Sequence, residues 1–261
     1  MKTLNLYIDE AGRGPLAGPM YIGIILPLKK LTAKELSLFC DSKKLSESKR
    51  EEHYSKIQLL QDRKKLIALS ASVSAKEIDT YGMTIAQHIA ISRGLIEVFQ
   101  QLLNEISPQI EQGICKIDDY YSLIIQNLLS QKKMSYEHLI SIIKIFYEQF
   151  QLQYNLVIDG NKDFWLWKTF PLLKIQTIID GDDKVKEIWM ASIIAKVSRD
   201  RVMNSLPKKY QKYGFQKHKG YGTLVHRNAI KEFWVSNIHR KLFLKELFPN
   251  HKIQKALPKY L

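Results

Sequence analysis

The stretch from Tyr7 to Pro19 joins the end of an apolar strand pattern to two adjacent acids and a glycine-rich turn, and its sequence is Tyr7-Ile8-Asp9-Glu10-Ala11-Gly12-Arg13-Gly14-Pro15-Leu16-Ala17-Gly18-Pro19. Apolar and polar residues alternate from Leu4 to Asp9, which predicts a β-strand, and the glycines and prolines that follow exclude a regular element. Adjacent carboxylates repel each other unless a cation lies between them, and glycines let backbone N–H groups approach a ligand closely. The stretch therefore indicates metal-assisted chemistry on a phosphate.

The length and composition are those of an ordinary globular protein. The chain has 261 residues, of which 45% are apolar and 25% are charged, which allows one large domain or one domain with a small appendage. Apolar runs such as 66–69 are far too short to cross a bilayer, and the first residues do not have the pattern of a signal peptide. Cys40 and Cys115 form neither a metal-binding nor a disulfide pattern. We expect a cytoplasmic monomer with reduced thiols and no membrane partner.

The net charge of +14 is concentrated in the last third of the chain. Residues 184–261 contain 18 Lys and Arg against 4 Asp and Glu, whereas residues 1–183 contain 22 of each sign. Aromatic residues alternate with these basic residues, and they include Tyr210, Tyr213, Phe215, Tyr221, Phe233 and Trp234. A basic surface that is rich in aromatic side chains predicts binding to nucleic acid, with a surface kept basic for solubility as the alternative.

Hydrophobic periodicity and capping patterns predict an α/β protein with alternating strands and helices. Strands are predicted at 4–9, 20–26, 65–74, 156–160 and 174–179, and the main helices at 84–105, 187–203 and 224–237. Residues 106–152 contain two helical apolar patterns and are predicted to be an inserted helical hairpin, the alternative being that they belong to the core. We expect a catalytic domain over residues 1–205 and a basic substrate-binding region over residues 206–261.

Three predicted strands end in acids, at Asp9-Glu10, at Asp159 and near Asp182. Because the ends of strands in an α/β sheet are where sites are built, we expect these carboxylates to converge. Carboxylates without neighbouring His or Cys favour Mg²⁺ or Mn²⁺ over zinc, and two such ions can activate a water and stabilise the leaving oxygen of a phosphodiester. Asp180 and Asp183 compete with Asp182 for the third position, and their spacing does not choose between them.

Five ordered motifs between residues 7 and 226 resemble the signatures of type 2 ribonuclease H, the ribonuclease HII family. They are Asp9–Pro19, Asp41–Leu45, Val157–Asn161, Gly181-Asp182 with Met190–Asp200, and Tyr213–Phe215 with His218–Thr223 and His226. Arg13 in the glycine turn and Asp, not Glu, at position 182 favour type 2 over type 3. Two features depart from the family: about 45 residues lie between the long helix and the third motif, and no family pattern extends beyond about Arg240.

The resemblance implies a fold and a metal site. The fold is RNase H-like, with a mixed central β-sheet flanked by helices and a small helical C-terminal region. The implied catalytic residues and metal ligands are Asp9, Glu10, Asp159 and Asp182. Asp182 is selected over its neighbours because the acid of the family directly follows the glycine.

The resemblance also implies how the substrate is recognised. The backbone of Gly12, Arg13 and Gly14 would contact the ribose 2′-OH, and Tyr221 would pack against the sugar at the RNA–DNA junction. Lys43 and Lys219 are candidate phosphate ligands, with solvated lysines as the alternative. His218 and His226 are expected to orient their loop or to bind phosphate, in preference to acting as general acids.

The implied activity is that of an endoribonuclease. It would cleave the RNA strand of RNA–DNA hybrids and the 5′ side of ribonucleotides embedded in duplex DNA, leaving 3′-hydroxyl and 5′-phosphate ends. There are two alternatives: another metal-dependent nuclease of the same fold, and a nucleic-acid-binding module without catalysis. Residues 254–261 loosely fit a tail that binds a sliding clamp, with an ordinary frayed terminus as the alternative.

Overall fold

A five-stranded sheet forms the centre of the computed structural model, which describes residues 2–39, 45–111, 136–206 and 208–247, with backbone only at a few positions that include Asp182 and Asp183. The strands are β1 Lys2–Ala11, β2 Met20–Pro27, β3 Leu66–Val73, β4 Leu152–Asp159 and β5 Lys174–Ile178. Their order is β3-β2-β1-β4-β5. The β1–β2 and β2–β3 pairs are antiparallel, whereas β4 is parallel to both β1 and β5. The predicted mixed central sheet is confirmed.

Helices flank this sheet. They are α1 Ala33–Leu36, α2 Glu47–Asp62, α3 Ala75–Glu111, α4 Tyr136–Phe150, α5 Leu166–Thr169, α6 Gly181–Lys184, α7 Lys186–Asn204, α8 Phe215–His218, α9 Leu224–Phe233 and α10 Lys241–Leu247, with a 3₁₀-helix at Lys208–Tyr213. Capping boxes form at Thr32–Glu35 and Ser74–Glu77, two sites where the sequence has the Ser/Thr-x-x-Glu pattern. The carboxylate of Glu35 accepts the N–H of Thr32, and that of Glu77 accepts the N–H of Ser74. Within the described parts of the chain, no helix combines the length and apolar character that a membrane crossing requires.

The alternation of side chains along β2 divides the core into two layers. The even-numbered residues of 22–26 pack against α3 and α4 in the larger layer, and Ile25 packs against α2 and α7 in the smaller one. At Gly23, on the side that faces α7, an added Cβ would lie 2.0 Å from the carbonyl oxygen of Ala191. The missing side chain therefore lets the backbone of α7 lie directly on the sheet.

The helix that the sequence predicts at 84–105 is longer at both ends. α3 begins after the Ser74 cap, is interrupted at Gly82, where φ is 77°, and continues through Pro108 to Glu111. The capping box explains the earlier start, because it satisfies the backbone groups at a helix end that propensity alone does not locate.

Most of the predicted insertion at 106–152 lies outside the described residues, which resume at Tyr136. The α4 part packs Leu139, Ile142 and Phe146 into the larger core layer. The hairpin insertion stays a prediction, and so does the division of the chain at residue 205.

The chain after α7 packs against the loop between β1 and β2. Tyr213 and Phe215 form a small apolar cluster with Met203 of α7 and Ala17 of that loop. The loop that carries the glycine turn is therefore covered by the basic C-terminal region.

Replacement of Gly23 by alanine is expected to destabilise the fold, because the new methyl group would overlap the α7 backbone at Ala191. Backbone atoms cannot rotate away, so α7 must shift and core packing is lost. We expect the free energy of unfolding in a urea titration to fall by about 2–3 kcal/mol. Gly14→Ala is the control, because no heavy atom lies within 4 Å of its added Cβ. An equal effect of the two substitutions would contradict the close approach of α7 to β2.

Candidate active site

The pairing of β1 with β4 brings two acids from distant parts of the chain to one edge of the sheet. The strands are parallel and Ile8 is paired with Ile158, so that Asp9 and Asp159 are the next residues on neighbouring strands. Parallel strands end at the same edge, which explains why the two predicted strand-end acids meet. The structure therefore places Asp9 and Asp159 side by side at this edge, with Glu10 next to Asp9 in the chain.

Asp9 and Glu10 leave opposite faces of β1 and have different surroundings. Asp9 is 8% exposed and accepts hydrogen bonds from the side chain of Ser192 on α7 and, at 2.8 Å, from the backbone N–H of Glu10. Glu10 points to the other side, where its Oε1 lies 3.9 Å from Nη1 of Arg13.

Burial and mutual repulsion keep these carboxyl groups from ionising easily. Burial raises the pKa of Asp9 to about 7, with the charges of Glu10 and Asp159 adding to the effect and the hydrogen bond of Ser192 opposing it. Burial likewise raises the pKa of Glu10, against the opposing charge of Arg13. The cluster is therefore electrostatically incomplete and would be stabilised by a cation.

Asp182 is described by its backbone alone, so its side chain lies outside the described part of the site. The preceding residue, Gly181, is close to the acids, since a Cβ added there would lie 3.0 Å from Oδ1 of Asp159. Asp180 has a left-handed backbone with a φ of 53° and lies 3.8 Å from Nζ of Lys184, with 67% of its side chain exposed. The structure thus places Asp180 at the surface and the Asp182 backbone one residue from the cluster.

The donor chemistry of the site fits a hard divalent cation. Its carboxylate oxygens are the ligands that such cations prefer. The pKa of Asp9 is raised by burial and, secondly, by the charges of Glu10 and Asp159, and a bound cation would oppose both effects. Among the side chains that the structure describes, no group of three His, Cys, Asp or Glu is close enough to hold a metal ion. The fourth predicted ligand, Asp182, is not among those side chains.

The glycine turn after β1 is tightly packed on one side and open on the other. Gly12 has a φ of +86°, and a Cβ added there would lie 2.1 Å from Nε of Arg199. At Gly14, by contrast, no heavy atom lies within 4 Å of an added Cβ. Glycine is required at position 12 by both backbone angle and space, whereas position 14 has open space around it.

The side chain of Arg13 is engaged by the protein itself. It donates a hydrogen bond to Oε1 of Gln87 on α3, and its Cζ lies 4.4 Å from the centre of the Phe164 ring. Sequence reasoning missed Gln87 and Phe164, because neither belongs to a motif or a periodic pattern. With its guanidinium held in this way, Arg13 can offer a substrate its backbone more readily than its side chain.

One cleft of about 640 Å³ joins the acids to the glycine turn and to the basic residues. Its lining comprises Asp9, Glu10, Ala11, Gly12, Arg13, Gly14, Glu47, Arg50, Asp159, Ser192, Lys196, Arg199, Asp200, Lys217, Lys219 and Tyr221. Every predicted site residue is in this cleft except Asp182, whose side chain is not described, and Lys43, which lies outside the described residues. Arg50, Lys196 and Lys217 also line the cleft, although the sequence did not mark any of the three as a site residue.

Lys219 and Tyr221 reach the cleft from the loop after α8. Nζ of Lys219 contacts Oδ1 of Asn204 and lies 3.3 Å from Oε1 of Glu47. The Tyr221 ring is 49% exposed, with Cζ of Arg199 at 5.8 Å from its centre. Tyr221 therefore presents a large part of its ring to whatever enters the cleft.

Neutral histidines hold this loop in place. Nδ1 of His226 is 2.9 Å from the carbonyl oxygen of Tyr221, and its Nε2 is 3.1 Å from Nε2 of His239. Burial lowers the pKa of His226 to about 4 and that of His239 to about 3. Nε2 of His218 bonds the carbonyl of Tyr213 in the same way. These contacts agree with the expectation that His218 and His226 orient the loop.

A sequence profile of one family, described as Ribonuclease HII, matches residues 6–157 and 99–246. The chain belongs to the ribonuclease HII family. The ribonuclease HII of Fusobacterium nucleatum is 33% identical over 243 residues, which cover 92% of this chain and 85% of the relative. That of Aliarcobacter butzleri is 33% identical over 252 residues, which cover 96% of each. The predicted family is confirmed, and with it the predicted class of enzyme, a ribonuclease H that acts on RNA–DNA hybrids.

Two solved structures share the fold of this ribonuclease HII chain. Ribonuclease H2 from Pyrococcus horikoshii has a TM-score of 0.54 and 21% identity, and the match covers 95% of this chain and 100% of that one. The structure of the PCNA:RNase HII complex from Archaeoglobus fulgidus has a TM-score of 0.52 and 21% identity, with 91% and 93% covered. The predicted RNase H-like fold is confirmed. The family is one of divalent-metal-dependent nucleases, in agreement with the donor chemistry of the site.

We expect Asp9→Asn to stabilise the metal-free protein above neutral pH. The raised pKa of Asp9 means that its carboxyl contributes most to stability below pH 4, and that this contribution is lost as pH rises through about 7. Asparagine removes the buried charge, so at pH 8 in EDTA the melting temperature should rise by about 2–4 °C, with no gain at pH 4. Glu232→Gln, an exposed acid, serves as the control. A lower melting temperature for Asp9→Asn at pH 8 would rule out a costly buried charge at this position.

Proposed function

We propose that this chain cleaves duplex DNA on the 5′ side of embedded ribonucleotides, as well as the RNA strand of RNA–DNA hybrids, and leaves 3′-hydroxyl and 5′-phosphate ends. The observation that carries the proposal is a single cleft that holds Asp9, Glu10, the 12–14 turn and Tyr221. Groups suited to phosphate chemistry and groups suited to ribose recognition can thus act on neighbouring parts of one nucleotide. The 2′-OH is what distinguishes that nucleotide from its DNA neighbours.

Asp9, Glu10, Asp159 and Asp182 would hold two divalent ions, Mg²⁺ or Mn²⁺. When bound, such ions supply activation of the attacking water and stabilisation of the charge that develops on the phosphate. The chain's own part is to orient the ligands. The hydrogen bonds from Ser192 and from the N–H of Glu10 hold the Asp9 carboxylate, and β1–β4 pairing holds Asp159 beside it.

Recognition of the ribose would fall to the backbone of the 12–14 turn. The Arg13 side chain is bonded to Gln87 and stacked on Phe164, whereas the turn is open at Gly14. A hydroxyl that is both donor and acceptor can pair with a backbone amide, which a 2′-deoxy sugar cannot. The half-exposed ring of Tyr221 would pack on the sugar next to it.

Basic side chains around the cleft would hold the phosphates on either side of the cut. Lys219 reaches the cleft beside Glu47 and Asn204, and Arg50, Lys196 and Lys217 share its lining. Lys43 is proposed for the same role. A cluster of this kind provides the sequence-independent part of the affinity for nucleic acid, which weakens as salt is added.

The oligomeric state and a protein partner complete the proposal. Every residue invoked above lies in one chain, so we propose that a monomer is the active form. One structure of the same fold is that of an RNase HII complex with PCNA. The tail at 254–261, which lies outside the described residues, has a glutamine followed by an aliphatic and an aromatic residue. We propose that this tail contacts a sliding clamp.

The decisive experiment uses a DNA duplex that carries one ribonucleotide. Incubation with Mg²⁺ should give a single cut on the 5′ side of that nucleotide, mapped on a sequencing gel. EDTA and Asp9→Asn should each abolish the cut. Cleavage of continuous RNA–DNA hybrid only would keep the ribonuclease H activity and reject the recognition of single ribonucleotides.

Tyr221→Ala is expected to lower kcat/KM for the single-ribonucleotide duplex by about 10–100-fold, because the sugar loses an aromatic surface. Tyr221→Phe keeps the ring and should stay within about threefold of the parent. Tyr147→Ala on α4, which removes a tyrosine of similar exposure, is the matched control. Equal losses for Tyr221→Ala and Tyr147→Ala, or full activity of Tyr221→Ala, would reject a role for this ring.

A further inference from the structure

Arg240 buries its guanidinium among backbone carbonyl groups of the loop between β1 and β2. The side chain is 0% exposed. It donates hydrogen bonds from Nε to the carbonyl of Gly18 at 3.0 Å, from Nη1 to that of Arg13 at 2.9 Å, and from Nη2 to that of Gly12. Burial, with the charge of Arg199, lowers the pKa of Arg240 to about 9, so the group is still charged at neutral pH.

Burying a guanidinium is costly even when carbonyl dipoles hold it, and the arrangement needs a reason. Covering the loop does not require a charge, but the carbonyl groups that are covered do require hydrogen-bond donors. What only the planar fork of arginine supplies is several N–H donors in a fixed geometry. Those donors point at Gly12 and Arg13, the first two residues of the proposed ribose-reading turn.

The hydrogen bonds of Arg240 set the direction of two amide groups in that turn. In a trans peptide the C=O of one residue and the N–H of the next point in opposite directions. Because the carbonyls of Gly12 and Arg13 point towards Arg240, the N–H groups of Arg13 and Gly14 point away from it. The turn is open at Gly14, where no heavy atom lies within 4 Å of an added Cβ.

A second buried arginine packs against the same turn at Gly12. Arg199 of α7 is 2% exposed and donates to the carbonyl oxygens of Pro19 at 2.9 Å and Lys219 at 2.8 Å. Its Nε would overlap any side chain at Gly12. The turn is therefore confined between two guanidiniums that come from distant parts of the chain.

The residues next to Arg240 are also linked by hydrogen bonds to Tyr221, the second residue that is proposed to contact the ribose. The backbone N–H of Arg240 donates to the carbonyl of Leu16 at 2.8 Å, and its neighbour His239 contacts His226, which bonds the carbonyl of Tyr221. Residues 239–240 are thus connected to both sides of the cleft where a ribose would lie.

We infer that Arg240 is a positioning residue for ribose recognition: by binding the Gly12 and Arg13 carbonyls it presents the N–H groups of Arg13 and Gly14 to the 2′-OH. The inference rests on the proposed function, since it requires that this backbone reads the 2′-OH. It extends the recognition site to a residue that does not contact the substrate.

The experiment measures binding without cleavage, because EDTA removes the metal ions that cleavage requires. The dissociation constants of two duplexes of one sequence, all-DNA or with one ribonucleotide, are measured in EDTA by fluorescence anisotropy. The parent should bind the ribonucleotide duplex about tenfold more tightly, a difference of about 1.4 kcal/mol and the usual size for one or two hydrogen bonds. In Arg240→Met this preference should fall below about twofold, with affinity for all-DNA unchanged.

Arg240→Lys keeps the charge but lacks the fork, and it decides the question if Arg240→Met does not fold. It should fold, as judged by its cooperative melting, and lose most of the preference. Arg63→Met, an exposed arginine at the far end of α2, should keep the preference of the parent. A folded Arg240→Lys with the full preference, or an equal weakening for both duplexes, would overturn the inference. If the unsubstituted protein bound both duplexes equally, the proposed recognition of the 2′-OH, on which the inference rests, would be rejected instead.

Discussion

The parallel pairing of β1 with β4 is the constraint on which the site depends. It places Asp9 beside Asp159, although the two are 150 residues apart in the chain. A slip of one residue would turn every side chain of β1 to the opposite face and move Leu6 and Ile8 out of the larger core layer. The burial of these apolar residues therefore holds the two carboxylates together against their mutual repulsion.

The acids of the cleft and its glycine turn are held in place by different kinds of interaction. The acids project from strand ends that are locked by the sheet, and their environment raises the pKa values of Asp9 and Glu10. The glycine turn and the loop that follows it have no regular backbone hydrogen bonding. Buried arginine side chains donate to their carbonyl groups instead. Arg199 and Arg240 satisfy carbonyl groups that a strand or helix would satisfy internally. A loop that must expose its N–H groups to a ligand needs such outside support for its carbonyls.

Much of the fold follows from local patterns in the sequence. The alternation from Leu4 to Asp9 locates β1, and the Thr32 box locates the start of α1, because both signals act over a few neighbouring residues. Apolar periodicity alone places the start of α3 at residue 84, whereas the Ser74 box marks the start that the structure shows. The extension of α3 through Pro108 was not predicted, since an internal proline usually ends a helix. The expectation that proline ends a helix fails where packing against the rest of the protein outweighs the one hydrogen bond that proline removes.

The candidate site was predictable to the extent that its residues belong to motifs. Asp9, Glu10 and Asp159 follow apolar runs, whereas spacing alone left Asp180, Asp182 and Asp183 as equals. Gln87, Phe164 and Arg240 could not be found, because each acts through a contact with a residue far away in sequence, and neither periodicity nor composition marks such contacts.

The close approach of α7 to the sheet at Gly23 fixes the position of this helix, and with it the distance between two parts of the cleft. Ser192 donates a hydrogen bond to Asp9 at the end of β1, and Arg199, seven residues further on, packs against Gly12 of the turn that is proposed to recognise the ribose. Two turns of an α-helix span about 10 Å and hardly stretch. In the proposed function, the distance between the sugar that the turn recognises and the bond that is cut is therefore fixed by the length of this helix segment.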